Sequence, residues 1–129
     1  MYKKIHINRE INEVLGKLGH TDKICIADPG LPIPKDVKCI DLSYIVGKPS
    51  FLDVYESILD AMIVEDVIVA REFRENADET FINFTNITST YSEISHSEFK
   101  ELTRECKAII RTGQGTPYAN VLLTSKPFF

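Results

Sequence analysis

Ile7, Ile11, Val14, Leu15 and Leu18 recur at steps of three and four residues, the spacing that gathers apolar side chains on one face of an α-helix. Asn8 is placed to cap that helix and Gly19 to end it, which predicts a helix over about residues 9–18. The pattern then shortens. Lys23-Ile24-Cys25-Ile26-Ala27 is a brief apolar run with β-branched residues and predicts a buried strand. It stops at Asp28-Pro29-Gly30, and Pro29, Pro32 and Pro34 leave only a stiff, extended loop.

A second strand is predicted over 37–42. Ser50 and Asp53 resemble a capping box, and Phe51, Val54, Tyr55, Ile58, Leu59 and Met62 follow at helical spacing. Further strands are predicted at 67–70, 91–94, 108–111 and 119–123, and weaker helices at 78–86 and 97–105. The segment Thr112-Gly113-Gln114-Gly115-Thr116-Pro117 separates the last two strands. Strands alternating with helices at this spacing predict an α/β protein, a layered α/β/α arrangement around a mostly parallel sheet. No repeat, low-complexity tract or linker interrupts the 129 residues, so one domain over 1–129 is expected.

Composition narrows the partners. Hydrophobic residues make up 43% and charged residues 26%, the balance of a folded domain with a filled core. The formal net charge is -4 and no basic block stands out, so neither nucleic acid nor an anionic membrane is an expected partner. The start, MYKKIHINRE, lacks the apolar stretch of a secretory signal, and no run approaches the ~20 apolar residues of a membrane span. Cys25, Cys39 and Cys106 are an odd set at wide spacing, two of them in the apolar runs ICIA and VKCI. They read as reduced, buried thiols of a cytoplasmic protein. The sequons at Asn83 and Asn86 carry little weight without a signal.

Four places could carry chemistry. His20, in Gly19-His20-Thr21-Asp22, follows a helix end, where the dipole favours a held proton. Taken alone it reads equally as a carbonyl cap or a surface residue. Asp28 falls at the carboxyl end of the first strand, where open α/β sheets bind ligands, and its alternative is an Asx-type turn. His96 precedes a short helix and by itself reads as an exposed residue beside a cap. Tyr118-Ala119-Asn120 offers neutral groups suited to sugar hydroxyls but is equally ordinary at a strand start. Gly113-Gln114-Gly115 lacks the third glycine of a dinucleotide fingerprint and the Lys-Ser/Thr of a phosphate loop. His6, His20 and His96 show no metal-ligand spacing, and no serine elbow or catalytic cysteine motif occurs.

Taken in order, these segments resemble the D-ribose pyranase and L-fucose mutarotase family. The residues that carry the likeness are Leu18-Gly19-His20-Thr21-Asp22, Asp28 with Gly30-Leu31-Pro32-Ile33-Pro34, and Ile40-Asp41-Leu42. They continue in Ser95-His96-Ser97-Glu98-Phe99-Lys100, Ile110-Arg111-Thr112-Gly113 and Thr116-Pro117-Tyr118-Ala119-Asn120. The chain departs from the pattern at Ile5, Pro29, Arg71 and the tail Ser125-Lys126-Pro127-Phe128-Phe129. The resemblance implies that His20 is the catalytic acid and that Asp28, His96, Tyr118, Ala119 and Asn120 bind the substrate. It also implies a homo-oligomer, commonly two stacked pentameric rings, with Tyr118 and Asn120 completing a neighbour's site. The proline-rich loop and Tyr-Ala-Asn match the ribose branch better than the fucose branch.

Interconverting sugar ring forms requires opening and reclosing a hemiacetal, which needs proton transfer and neither metal nor redox cofactor. A histidine with a reference pKa near 6.5 can give and take that proton near neutrality. Two other readings stay open: a non-catalytic sugar-binding or regulatory protein on the same scaffold, and a mutarotase for L-fucose or another sugar.

Overall fold

The structure is a computed structural model that describes residues 6–76 and 78–127. Position 5 and the last two residues of the tail, both noted above as departures from the family pattern, lie outside the described residues, as do the first four residues of the start.

The elements in chain order are α1 (Arg9–Lys17), β1 (Lys23–Ala27), β2 (Lys38–Asp41), α2 (Phe51–Leu59), β3 (Val64–Ala70), α3 (Arg71–Glu75), α4 (Glu79–Ile87), β4 (Ser92–Ile94), α5 (His96–Leu102), β5 (Cys106–Arg111) and β6 (Val121–Ser125). The helix starts are set by side-chain oxygens that accept the orphan N–H groups of the first turn. Asn8 Oδ1 accepts from Ile11 N–H at 2.9 Å, Ser50 Oγ from Asp53 N–H at 3.1 Å, and Ser95 Oγ from Glu98 N–H at 3.1 Å. Each of these caps sits where the polar-to-apolar change in sequence places a helix start.

The six strands form one sheet in the order β2-β5-β1-β6-β3-β4. β1 and β2 pair parallel with β5, and β3 pairs parallel with β4, while β6 runs antiparallel between β1 and β3. The sheet is therefore mostly parallel with one reversed strand at its centre. The reversal has a simple cause: residues 112–120 join β5 to β6, and that connection is too short for the crossover of a dozen or more residues that a parallel return needs.

Alternation along β1 builds a core on each face. Ile24 and Ile26 point to a cluster with Ile11, Val14, Phe51, Tyr55 and Phe84 under α1, α2 and α4. Cys25 and Ala27 point to the other side, where Leu31, Phe99, Ile109 and Leu122 pack under α5. Aromatic rings dominate the first cluster: Phe51 stacks on Tyr55 at 5.6 Å, and Phe73 meets Phe81 edge-on at 5.1 Å. Burial pushes the Cys106 thiol up to about 12 and raises Cys25 as well, so both are inert thiols at neutral pH. Cys39 differs from expectation. It is only half-buried, because β2 is an edge strand and its second face is partly open.

Several elements also differ from the sequence reading: β3 starts at Val64 rather than at position 67, and β5 at Cys106 rather than at position 108. α3 was not expected at all; its five residues bury only Phe73, too few apolar positions to show a period. β6 starts at Val121 rather than at position 119, because Tyr118 adopts φ 66° and the chain turns there. The last predicted helix ends at Leu102 and tightens into a 3-10 turn, Thr103–Glu105.

Candidate functional site

Five chain segments meet at the carboxyl-end edge of the parallel strands. Asp28 follows β1, Thr112 follows β5, Glu72 follows β3 and His96 follows β4, while Tyr118–Asn120 lead into the reversed β6. They surround an open cleft of about 550 Å³ whose walls include Asp28, Leu31, Val46, His96, Gln114 and Tyr118. That volume and edge are where small ligands bind in sheets of this kind.

Asp28 is the centre of the cleft's hydrogen bonding and is only 8% exposed. Its Oδ1 accepts from Gly30 N–H at 2.9 Å, the Asx-type turn, and its Oδ2 accepts from Tyr118 N–H at 2.9 Å. Its own N–H donates to Asn120 Oδ1 at 2.7 Å. The two readings of Asp28 are thus compatible: the turn orients one oxygen while the other ties β1 to the entry of β6. Burial raises the Asp28 pKa, and the N–H groups of Gly30, Tyr118 and Leu31, with the nearby His96, oppose the rise.

His96 is the first residue of α5, and its N–H donates to both oxygens of Glu72 at 3.0 and 3.1 Å. Its ring stands edge-on to Tyr118, with centroids 5.0 Å apart and planes at 80°. Burial lowers the imidazole pKa, the charge of Lys100 adds to this, and Glu72 and Asp28 act against it. His96 is therefore neutral at pH 7. Stability linked to it is present above the ordinary imidazole value and is lost as the pH falls through the lowered one. His96 Nδ1 is buried and has no hydrogen-bond partner.

Tyr118 is held in the left-handed region by its bond to Asp28, a conformation non-glycine residues adopt at a cost. Ala119 and Asn120 are fully buried and stand behind the cleft rather than on its wall. Asn120 Nδ2 has no partner, while its Oδ1 fixes Asp28.

The cleft also uses residues to which sequence reading gave no binding role. Gln114 Oε1 accepts from Phe51 N–H at 2.9 Å and its Nε2 donates to Thr116 Oγ1 at 3.0 Å, which fixes the Gly/Pro loop as a wall. Thr112 is fully buried and donates to Ala27 O through both N–H and Oγ1. Arg111 reaches Asp41 at 3.1 Å and Pro29 O at 3.0 Å, which pins the proline loop. A strap at 43–49 folds over this end, where Gly47 N–H donates to Gly113 O and Gly113 N–H donates to Pro49 O. Tyr44 and Val46 on the strap are 81% and 88% exposed. Arg111, Thr112 and Gly113 lie in a segment that carries the family likeness, but no local pattern shows these contacts, since they join segments that only topology brings near.

His20 stands apart. It precedes β1, whereas Asp28 follows it, and the four residue steps of that strand alone separate the two edges by about 13 Å. Its imidazole is about half exposed, and Nε2 lies 3.3 Å from Glu65 Oε1 near the start of β3. Within one chain, then, Asp28, His96 and Tyr118–Asn120 come together and His20 does not join them. Among the described residues no group of three or more His, Cys, Asp or Glu is placed to hold a metal, and no helix is long and apolar enough to cross a membrane.

Residues 1–126 match the RbsD / FucU transport protein family. A protein named D-ribose pyranase from Staphylococcus haemolyticus is 49% identical over 129 residues, covering all of both chains. Another of that name from Bacillus mycoides is 50% identical over 125 residues, 95% of each chain. Among solved structures, Bacillus subtilis RbsD complexed with D-ribose is 44% identical and superimposes with a TM-score of 0.93 over the whole of both chains.

Proposed function

The chain belongs to the RbsD / FucU family, and from that premise we propose that it is an isomerase interconverting the pyranose and furanose forms, and the anomers, of free D-ribose. The observation that carries this reading is the Asp28 cleft, which stands on a chain matching, end to end, a relative solved with D-ribose. Among the described residues the cleft wall has no Lys or Arg to hold a phosphate, and its polar groups suit a neutral, hydroxyl-rich ligand.

Ring opening breaks the bond between the anomeric carbon and the ring oxygen. The ring oxygen gains a proton, the anomeric hydroxyl loses one, and the open-chain aldehyde results. Closure through another hydroxyl, or on the other face of the aldehyde, gives the new form. No electrons are transferred, so the reaction itself calls for no cofactor. His20 delivers the proton to the ring oxygen. Asp28 and His96 bind hydroxyls or pass the second proton, and Tyr118, Ala119 and Asn120 shape the seat of the sugar.

Because His20 and the Asp28 cleft lie at opposite edges of one sheet, the complete site takes His20 from a neighbouring copy of the chain. A shared site calls for a homo-oligomer, and the family resemblance extends this to a ring-shaped assembly of two stacked pentamers acting in the cytoplasm. The exposed Tyr44 and Val46 beside the cleft support burial of that face against a neighbour. The sequence expectation placed Tyr118 and Asn120 in a neighbour's site; relative to His20 that holds in this reading, while both remain with Asp28 of their own chain.

Exchange NMR between ribose ring forms tests the proposal. Protein in catalytic amounts is expected to broaden and transfer saturation between the ring-form signals of ribose far more than those of L-fucose. Saturable ribose binding without faster exchange would instead mark a non-catalytic sugar-binding protein.

Asp28 makes a pH prediction. Its raised pKa means that its protonated form contributes stability below the ordinary carboxyl value, a contribution lost as the pH rises through the raised value. On acidification Asp28 therefore protonates while ordinary carboxylates are still charged, and Tyr118 N–H loses its charged acceptor. The KM for ribose is expected to climb on the acid side above the usual carboxylate range. Steady-state exchange rates across pH check it.

A further inference from the structure

We infer that Glu65 is a positioning residue for His20: a β-bulge in β3 aims its carboxylate at Nε2 of the imidazole and leaves Nδ1 as the nitrogen that exchanges protons with the sugar. The inference rests on the reading of His20 as the proton-transferring residue.

The register of β3 against β6 carries it. Val64 faces Ser125 and Asp66 faces Thr124, so Glu65 is the extra residue between them. A bulge breaks the ladder locally and turns a side chain away from its usual alternation, and bulges concentrate beside functional sites. Here the turned side chain meets His20 Nε2 at 3.3 Å. Glu65 itself is exposed, so the bulge does not serve to bury its side chain.

The same strand fixes the histidine. Thr21 N–H donates to Ser125 O at 3.0 Å and Ser125 N–H donates to Asp22 O at 2.8 Å. Ser125 thus anchors the histidine turn on one side and faces the start of the bulge on the other. The turn is closed further by Gly19 N–H donating to Asp22 Oδ2 at 2.8 Å, and Thr21 takes φ 72° to make it. Backbone on both sides of the His20–Glu65 pair is therefore set by one residue of β6, so the pair does not depend on two free surface side chains finding each other.

The chemistry follows from the donors available. An ionised carboxylate only accepts, so Nε2 must carry the hydrogen when it bonds to Glu65. In neutral His20 this selects the Nε2–H tautomer and presents the Nδ1 lone pair; in the charged form Nδ1–H is the proton offered to the ring oxygen. A carboxylate that orients an imidazole and fixes its tautomer is a recurring arrangement in proton transfer. Other groups near Glu65 are Asp66, Thr88 and Ser92, which line the same shallow depression but do not bond to the imidazole.

Three variants of the full-length protein test this: Glu65→Ala, Glu65→Gln and His20→Ala. The readouts are ribose exchange rates and the ring 15N shifts of histidine-labelled protein. Glu65→Ala is expected to lower kcat roughly 10-fold, as loss of an imidazole's orienting partner does, with KM unchanged because Glu65 acts through His20 and forms no part of the Asp28 cleft wall. The His20 15N shifts are expected to move away from the Nε2–H tautomer in Glu65→Ala and to move less in Glu65→Gln, which keeps an acceptor. A Glu65→Ala protein of wild-type kcat beside an inactive His20→Ala overturns the inference alone. Full activity in His20→Ala overturns the underlying reading and the inference together. If Glu65→Ala does not fold, Glu65→Leu, which keeps the bulk and offers no acceptor, decides, and unchanged 15N shifts and kcat there overturn it.

Discussion

Replacing His20 with alanine is expected to slow catalysed exchange of ribose ring forms by about 10²–10⁴-fold, the usual contribution of a positioned acid–base group, and to leave ribose binding in place. The two effects separate because the seat of the sugar is the Asp28 cleft, whose own wall does not include His20. The imidazole is about half exposed and among the described residues bonds to Glu65 alone, so its removal creates no cavity. The turn that carries it is held by Asp22 and Ser125 through backbone groups that alanine retains. Line-shape and saturation-transfer measurements give the rate, and titration of the inactive variant with ribose gives the affinity. A loss confined to affinity would remove His20 from proton transfer.

The same variant tests whether two copies share one site. Co-expression of His20→Ala chains with Asp28→Asn chains, each inactive alone, produces some interfaces where intact His20 of one copy faces an intact Asp28 cleft of another. Partial return of exchange activity in the mixed oligomer is the expected result. A site contained in one chain gives no return, since every chain then carries one lesion.

Gly113→Ala is expected to cost about 1–3 kcal/mol of stability, the range for forcing an extra methyl into a packed site, and to raise the KM for ribose as well. A Cβ at Gly113 would fall 2.3 Å from Lys48 O and 2.7 Å from Ile45 O. Both are backbone atoms of the strap, so no side chain can swing aside to make room. Relief requires the strap or the end of β5 to move. Either shift breaks the bonds from Gly47 N–H to Gly113 O and from Gly113 N–H to Pro49 O. Because Val46 and Gln114 flank those bonds and form part of the cleft wall, the ligand seat loosens with them. Thermal unfolding at matched protein concentration reads the first effect at about 4 °C per kcal/mol, and exchange kinetics read the second. An unchanged melting temperature would show that the strap yields freely.

The helix starts and the central strands were legible because local chemistry decides them. Asn8 and Ser50 are capping residues followed by apolar positions at helical spacing, and both cap as expected. The run from Lys23 to Ala27 is apolar on both faces and is buried on both. Asp28 was placed correctly at a strand's carboxyl end for the same reason. What stayed hidden depends on contacts between distant segments. Glu72 matters through the backbone N–H of His96, and Gln114 through that of Phe51; no pattern near either residue announces a partner so far along the chain. The bulge at Glu65 needs the register of β6 to be seen. The separation of His20 from Asp28 could be foreseen once both were put at opposite ends of one short strand. The resemblance supplied the site as a set, and the structure divides that set between two edges.

The reversed central strand has a consequence for how the protein comes into being. β6 leaves the ribosome after the five other described strands, yet it occupies the middle of the sheet, pairing Leu123 with Ile24 on one side and with Val67 on the other. Until it emerges, β1 and β3 have no common neighbour, and the nascent chain holds two half-sheets with open inner edges of the kind that invite mispairing. Long-range closures of this sort are slow relative to helix formation. One late step then completes the sheet, sets Tyr118 against Asp28 at one end and lays Ser125 under the histidine turn at the other. A nascent chain stalled before position 121 therefore contains His20, Asp28 and His96 and still has neither half of the site assembled.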